Sequence, residues 1–179
     1  MKTNSSTLFI VTLPFIVIII IGTFVISIKS VIENKRFIDG TNLILSVPRA
    51  AKVFLKNRPA VYFTANDDIL DMLSGDNLFP RQPMHVNPWN GKFQALAVDN
   101  RSFRIYTVVP PSVCRKLSLY FGRYDFSNVG LLGVYVNPEG SESWVTTFSP
   151  SKQETTARIG AACGKGVYTN VVIDFMTRP

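Results

Sequence analysis

Two cysteines and one histidine are the residues of this 179-residue chain that could carry nucleophilic or metal chemistry. A free thiolate beside an imidazole can act as a nucleophile, and His85 is the only imidazole available to Cys114 or Cys163. Two cysteines far apart in the sequence match no metal-ligand spacing and predict one disulfide in an oxidising compartment. The alternative is a pair of buried free thiols in a cytoplasmic domain.

Two other segments invite a chemical interpretation. His85 lies among proline and asparagine residues, so it is predicted to be a surface turn residue and not a metal ligand. Gly164-Lys165-Gly166 resembles part of a phosphate-binding loop, but the full motif is absent and a strand is predicted to follow, which favours a simple turn. The sequence therefore predicts no enzyme, no cofactor and no metal site.

Charge and aromatic content suggest two possible binding surfaces, one basic and one aromatic. The 19 Lys and Arg residues against 12 Asp and Glu permit an acidic partner such as nucleic acid or anionic lipid, but scattered surface charge is the favoured explanation. Trp89 and Trp144 could belong to a binding face. Aromatic residues in an antiparallel sheet more often belong to the core.

The segment from Leu8 to Ile28 contains no charged residue. As a helix it would cover roughly 30 Å, the thickness of the hydrocarbon core of a bilayer. It is too long for a secretory signal and lacks a cleavage site of small residues, so an uncleaved transmembrane anchor is predicted after a polar leader over 1–7. The helix is predicted to continue to about residue 38 and to end at Asp39-Gly40.

The topology signals conflict. Lys29, Lys35 and Arg36 outweigh the basic charge before the span, and the positive-inside rule would place the remaining chain in the cytoplasm. The margin is one charge, and Glu33 and the cysteine pair favour the opposite side. The domain over 41–179 is therefore predicted to lie outside the cytoplasm.

Periodicity in 41–179 predicts one α+β domain of antiparallel sheet packed with helices. The predicted helices begin at Pro48, Asn66, Ser112 and Ser151. The predicted strands are Lys92–Asp99, Ser102–Val109, Val129–Val136, Ser143–Phe148 and Val167–Phe175.

This layout, together with several short motifs, resembles the type IV pilins, in particular the type IVb branch that includes the major pilins of conjugative thin pili. The motifs are Leu78-Phe79-Pro80, Asn87-Pro88-Trp89-Asn90-Gly91, Val109-Pro110-Pro111-Ser112-Val113-Cys114 and Ala161-Ala162-Cys163. The resemblance implies a long N-terminal helix that continues into an α+β domain, a disulfide in its C-terminal part, and Pro80, Asn87, Pro88, Trp89, Gly91 and Pro110 as signature loop residues.

The resemblance also implies a function. It predicts a filament subunit held by a single span in a bacterial inner membrane, assembled with other pilin subunits, and acting in adhesion or conjugative cell contact. The processing site would fall between Ser5 and Ser6, with Ser5 in place of the family's glycine and Ile10 in place of its glutamate. A minor or tip pilin would need that glutamate less. The alternative is a permanently anchored extracytoplasmic module that binds DNA or an acidic ligand.

Overall fold

The computed structural model describes residues 5–58, 62–79, 85–138, 143–149 and 152–177; the side chains of 5–20, 138, 152 and 153 are outside this description. The chain divides into two compact units, Met1–Ile38 and Asp39–Pro179. The four helices, one 3-10 turn and six strands that the structure describes are α1 (Ser5–Asn57), α2 (Ile69–Gly75), β1 (Phe93–Ala97), β2 (Ser102–Val109), α3 (Pro111–Arg123), the 3-10 turn (Ser127–Val129), β3 (Leu131–Pro138), β4 (Val145–Ser149), β5 (Lys152–Gln153), α4 (Thr156–Ala162) and β6 (Thr169–Met176).

Helix α1 is longer than the sequence predicts. The predicted end at Asp39-Gly40 and the predicted new helix at Pro48 are both wrong. The helix runs without a break to Asn57. Ile44, Val47 and Phe54 recur at helical spacing and are buried in the second unit. Burial of this apolar stripe outweighs the hydrogen bond that Pro48 removes, since most helix stability in proteins comes from such packing.

Over the part of the chain that the structure describes, no helix is long and apolar enough to cross a membrane. Of the transmembrane span predicted from Leu8 to Ile28, residues 8–20 lie in the part of α1 whose side chains are not described. The side chains that follow, from Ile21 to Arg36, are all exposed.

The six strands form one antiparallel sheet in the order β1-β2-β6-β3-β4-β5. The long strands β2 and β6 pair along their whole length, and β3 pairs with the other edge of β6. The hairpin predicted from residues 92–109 is confirmed, with Phe103, Ile105 and Val109 on the buried face. Strand alternation is therefore a correct guide to this part of the sheet.

Two further predicted helix starts, at Asn66 and Ser112, are wrong. Asp68, not Asn66, caps α2, since its carboxylate accepts the N–H groups of Leu70 and Asp71, whereas Asn66 adopts a left-handed conformation. Pro110 precedes α3 without a side-chain cap, so Ser112 lies inside the helix.

The start of α4 differs in the same way. Thr155 caps this helix, and Lys152–Gln153 form β5 in place of the predicted helical turn. Ser151, the predicted cap, lies outside the described residues.

Candidate functional site

The two cysteines are bonded to each other. Cys114 in the first turn of α3 and Cys163 at the end of α4 are both fully buried, with their Cα atoms 5.8 Å apart. The hydroxyl of Thr169 donates to the carbonyl of Cys163 at 2.6 Å and ties the same point to β6. The predicted disulfide is confirmed, and neither sulfur is available as a thiolate nucleophile.

The single histidine lies apart from other candidate ligands. His85 is exposed, and its backbone carbonyl accepts the N–H of Phe93 at 2.8 Å. Among the described residues, no group of three or more His, Cys, Asp or Glu side chains could hold a metal ion. Gly164-Lys165-Gly166 forms an exposed bend that leads into β6, as predicted for a turn.

The signature loop from Asn87 to Gly91 is built around one buried amide. The side chain of Asn87 donates to the hydroxyl of Thr107 and the carbonyl of Val108, and its oxygen accepts the N–H groups of Trp89 and Gly91. All four bonds are between 2.7 and 3.0 Å. Since a buried amide must be fully bonded, this residue fixes the loop on β2.

The loop also contacts α1. The indole of Trp89 lies directly against Gly40, where a Cβ atom would overlap the ring, and Gly91 leaves room for the carbonyl of Val108 in the same manner. Gly40 is thus needed for close approach and does not end the helix. Beside this contact is an open groove of about 490 Å³, lined by Asp39, Asn42, Leu43, Ser46, Val86, Asn87 and Pro88.

The remaining predicted site residues are the two signature prolines and the two serines of the predicted processing site. The carbonyl of Pro110 accepts the N–H groups of Val113 and Cys114, so this residue sets the start of α3 and the position of one sulfur. Pro80 lies outside the described residues. Ser5 and Ser6 lie in the first turn of α1, and nothing in their described backbone bears on processing.

Shifted pKa values occur at turns and at one ion pair. The pKa of Asp99 is lowered by hydrogen bonds from the backbone N–H of Arg101 and then from Ser102, and that of Asp125 by the N–H of Ser127. The pKa of Arg104 is raised, chiefly by its hydrogen bonds to Asp174. The partners of these groups are turn residues and cross-strand neighbours, so the shifts reflect bonds that stabilise turns and strands.

Three aromatic residues that are far apart in the sequence are brought together by the fold. Tyr106, Tyr135 and Trp144 lie on the sheet face opposite the buried one, around Val172. The alternation of Arg104, Tyr106 and Val108 with buried residues in β2 places them on that face, which is a usable signal. The neighbouring strands β3 and β6 come from distant parts of the sequence, so the assembled surface depends on the fold.

No family model, curated protein or solved structure matches this chain.

Proposed function

We propose that this protein is a subunit of a type IV pilus-like filament, a pilin or minor pilin, held in the bacterial inner membrane before assembly. The observation that carries the proposal is the division of α1. Its residues from Ile21 to Arg36 are exposed, whereas its residues from Ile44 onward build the core of a disulfide-bonded α+β unit. The exposed apolar side chains between Ile21 and Ile28 suit an external apolar partner.

Two external partners, lipid and other helices, could bury the apolar side chains of the predicted span. Lipid would surround the segment from Leu8 to Ile28 before assembly, and helices of neighbouring subunits would surround it in the filament. Export of the domain agrees with the Cys114–Cys163 disulfide, since such bonds persist in oxidising compartments. Adhesion or cell contact would then be the task of the outer surface of the domain.

Ile18→Asp tests the proposal at the centre of the predicted span. A carboxylate near the middle of a bilayer costs about 2.5–3.5 kcal/mol, so the variant should leave the membrane fraction and be lost from sheared surface filaments. Ile38→Asp is the matched control, because Ile38 is exposed and lies beyond the predicted span. Both fractions are measured by immunoblot. Normal membrane retention of Ile18→Asp would contradict the anchor.

The second candidate is a permanently anchored module that binds nucleic acid. Helix α3 favours it, since Arg115, Lys116 and Arg123 are exposed and make no ion pair with the described residues, and the exposed Tyr124 directly follows the helix. Basic and aromatic side chains together suit a phosphate backbone with stacked bases.

Salt dependence tests this candidate. Binding of the full chain in detergent to single-stranded DNA should weaken steeply with salt, and Gln at these three positions should reduce the slope by roughly 0.7 for each phosphate that is no longer neutralised. The control replaces Lys29, Lys35 and Arg36 by Gln. Absence of binding at low salt would remove the candidate.

A further inference from the structure

Three aromatic side chains line grooves on the sheet face opposite the buried one, and they are here called the aromatic ledge (Tyr106, Tyr135 and Trp144). Tyr106 and Tyr135 flank Val172 in one cross-strand row, and Trp144 just before β4 lines a groove with all three. Val172 is 3% exposed, whereas Trp144 is 47% exposed. The aromatic rings therefore cover an aliphatic floor and still present apolar surface to solvent.

The position of the Tyr135 ring depends on a glycine. Gly133 lies two residues earlier on the same strand, and a Cβ atom there would come within 2.8 to 3.0 Å of the Tyr135 ring and hydroxyl. The ring consequently lies over the bare backbone of Gly133. Gly133 therefore leaves the space that this ring occupies.

Two grooves meet at the ledge, with Tyr106 and Trp144 common to both. The first has a volume of about 190 Å³ and is edged by Lys92, Gln94 and Asn170. The second has a volume of about 200 Å³ and contains Arg104 and Tyr135. Each groove thus joins an aromatic wall to polar groups that can donate or accept hydrogen bonds at its edge, the combination found in small-ligand sites.

The charges at the two grooves differ. In the second, Arg104 makes a two-pronged ion pair with Asp174, with N–O distances of 2.7 and 2.8 Å, so the two charges balance. In the first, Lys92 is exposed and makes no ion pair with any residue that the structure describes. A ligand that spans both grooves would therefore contact one net positive charge, that of Lys92 in the first groove.

We infer that the aromatic ledge binds an acidic oligosaccharide, with a uronic acid unit in the groove of Lys92 and a neutral sugar in the groove of Arg104. A pyranose ring has a flat face of C–H bonds that packs on an aromatic ring, and its hydroxyls point outward in the ring plane. Gln94, Asn170 and Lys92 line the first groove, where the two amides can bond such hydroxyls and the ammonium group can pair with the carboxylate. Two adjoining grooves suit two consecutive sugars.

A second copy of the chain is a poorer occupant. A stable protein interface needs about 800 Å² from each partner with an apolar centre. Here polar groups border both grooves, and the ledge consists of three aromatic rings. The inference does not depend on filament assembly, because binding can be measured on the unassembled chain.

The test compares two tetrasaccharides on the full chain in detergent micelles. A hyaluronan tetrasaccharide supplies alternating uronic acid and N-acetylglucosamine, and chitotetraose supplies N-acetylglucosamine alone. Titration calorimetry should give at least tenfold tighter binding of the acidic probe. Trp144→Ala should weaken both probes tenfold or more, while Lys92→Gln should weaken only the acidic probe and bring the two within threefold of each other.

Matched controls lie elsewhere on the domain. Tyr62→Ala removes an exposed aromatic ring and Lys56→Gln removes an exposed charge, and both should leave binding unchanged. Trp144→Ala should unfold at the same temperature as the unmodified chain, which shows that its loss of binding is not a loss of the fold. Trp144→Phe, which keeps an aromatic ring, should retain partial binding. Failure of both probes to bind at millimolar concentration would overturn the inference, as would self-association of the chain that Trp144→Ala abolishes.

Discussion

Phe24 and Phe54 are the same residue type on the same helix, yet Phe24 is 66% exposed and Phe54 is 2% exposed. Phe54 packs on Phe63, with ring centroids 6.1 Å apart, and beneath the guanidinium of Arg58. Phe24 lies among other exposed apolar residues of α1. Apolar composition therefore does not decide burial along this helix. The second half is stabilised by its own domain, whereas the described side chains from Ile21 to Arg36 in the first half are exposed.

Loss of the disulfide should have the largest effect, and only on the domain. Cys114→Ala with Cys163→Ala opens a loop of about 50 residues and should lower the free energy of unfolding by about 4 kcal/mol on the chain-entropy model. Denaturant unfolding followed by circular dichroism measures the change. Membrane retention of the double variant should stay normal. Loss of retention in a folded variant would show that the two halves are not independent.

The phenylalanine pair is the next most sensitive test. Phe54→Ala should cost about 3 kcal/mol, the low end for such a change, because the last turn of the helix can relax around the space. Phe24→Ala, the matched control, should leave the domain's unfolding midpoint unchanged. Both are measured by denaturant unfolding of the full chain in micelles. Equal losses for the two variants would contradict the division of α1.

A glycine pair on the same helix gives a smaller effect. Gly40→Ala forces a methyl group into the Trp89 ring and should cost about 1–3 kcal/mol. Gly22 has nothing within 4 Å of a built Cβ atom, so Gly22→Ala should leave the domain equally stable and favour the helix. Thermal unfolding of the two variants distinguishes them. A stable Gly40→Ala domain would mean that Trp89 does not hold α1.

The smallest effect concerns the β1–β2 turn. Because the pKa of Asp99 is lowered from 3.8 in the folded chain, its carboxylate stabilises the fold above that pH and ceases to do so as the pH falls through the lowered value. Asp99→Asn should therefore cost less than about 1 kcal/mol near neutral pH and nothing in strong acid, since the group is exposed. Unfolding curves at several pH values measure the difference. A difference that increases toward acid pH would have the wrong sign.

Local patterns predict much of the fold. Alternation locates β1, β2 and β6, and helical spacing locates α3. Gly40 misleads because glycine often follows the end of a helix, and Pro48 misleads because proline often begins one. Here Trp89 needs the space at Gly40, and a buried stripe continues past Pro48. The exposure of Trp144 could not be predicted, since it depends on the order of strands that are far apart in sequence.

The signature loop shows the same limit at the candidate site. Asn87 and Trp89 stand out in the sequence, but their partners, Thr107 and Gly40, lie in other elements. Their role is to fix a loop between β2 and α1, which no local pattern indicates. The disulfide was predictable because Cys114 had only Cys163 as a possible partner.

We propose that the first half of α1 lies in a membrane while the domain lies outside the cytoplasm. The most direct measurement is the intact mass of the protein recovered from carbonate-washed membranes, alkylated before any reduction. The account predicts recovery in the membranes with neither Cys114 nor Cys163 alkylated. Absence from the washed membranes, or a mass that carries two alkyl groups, would contradict it.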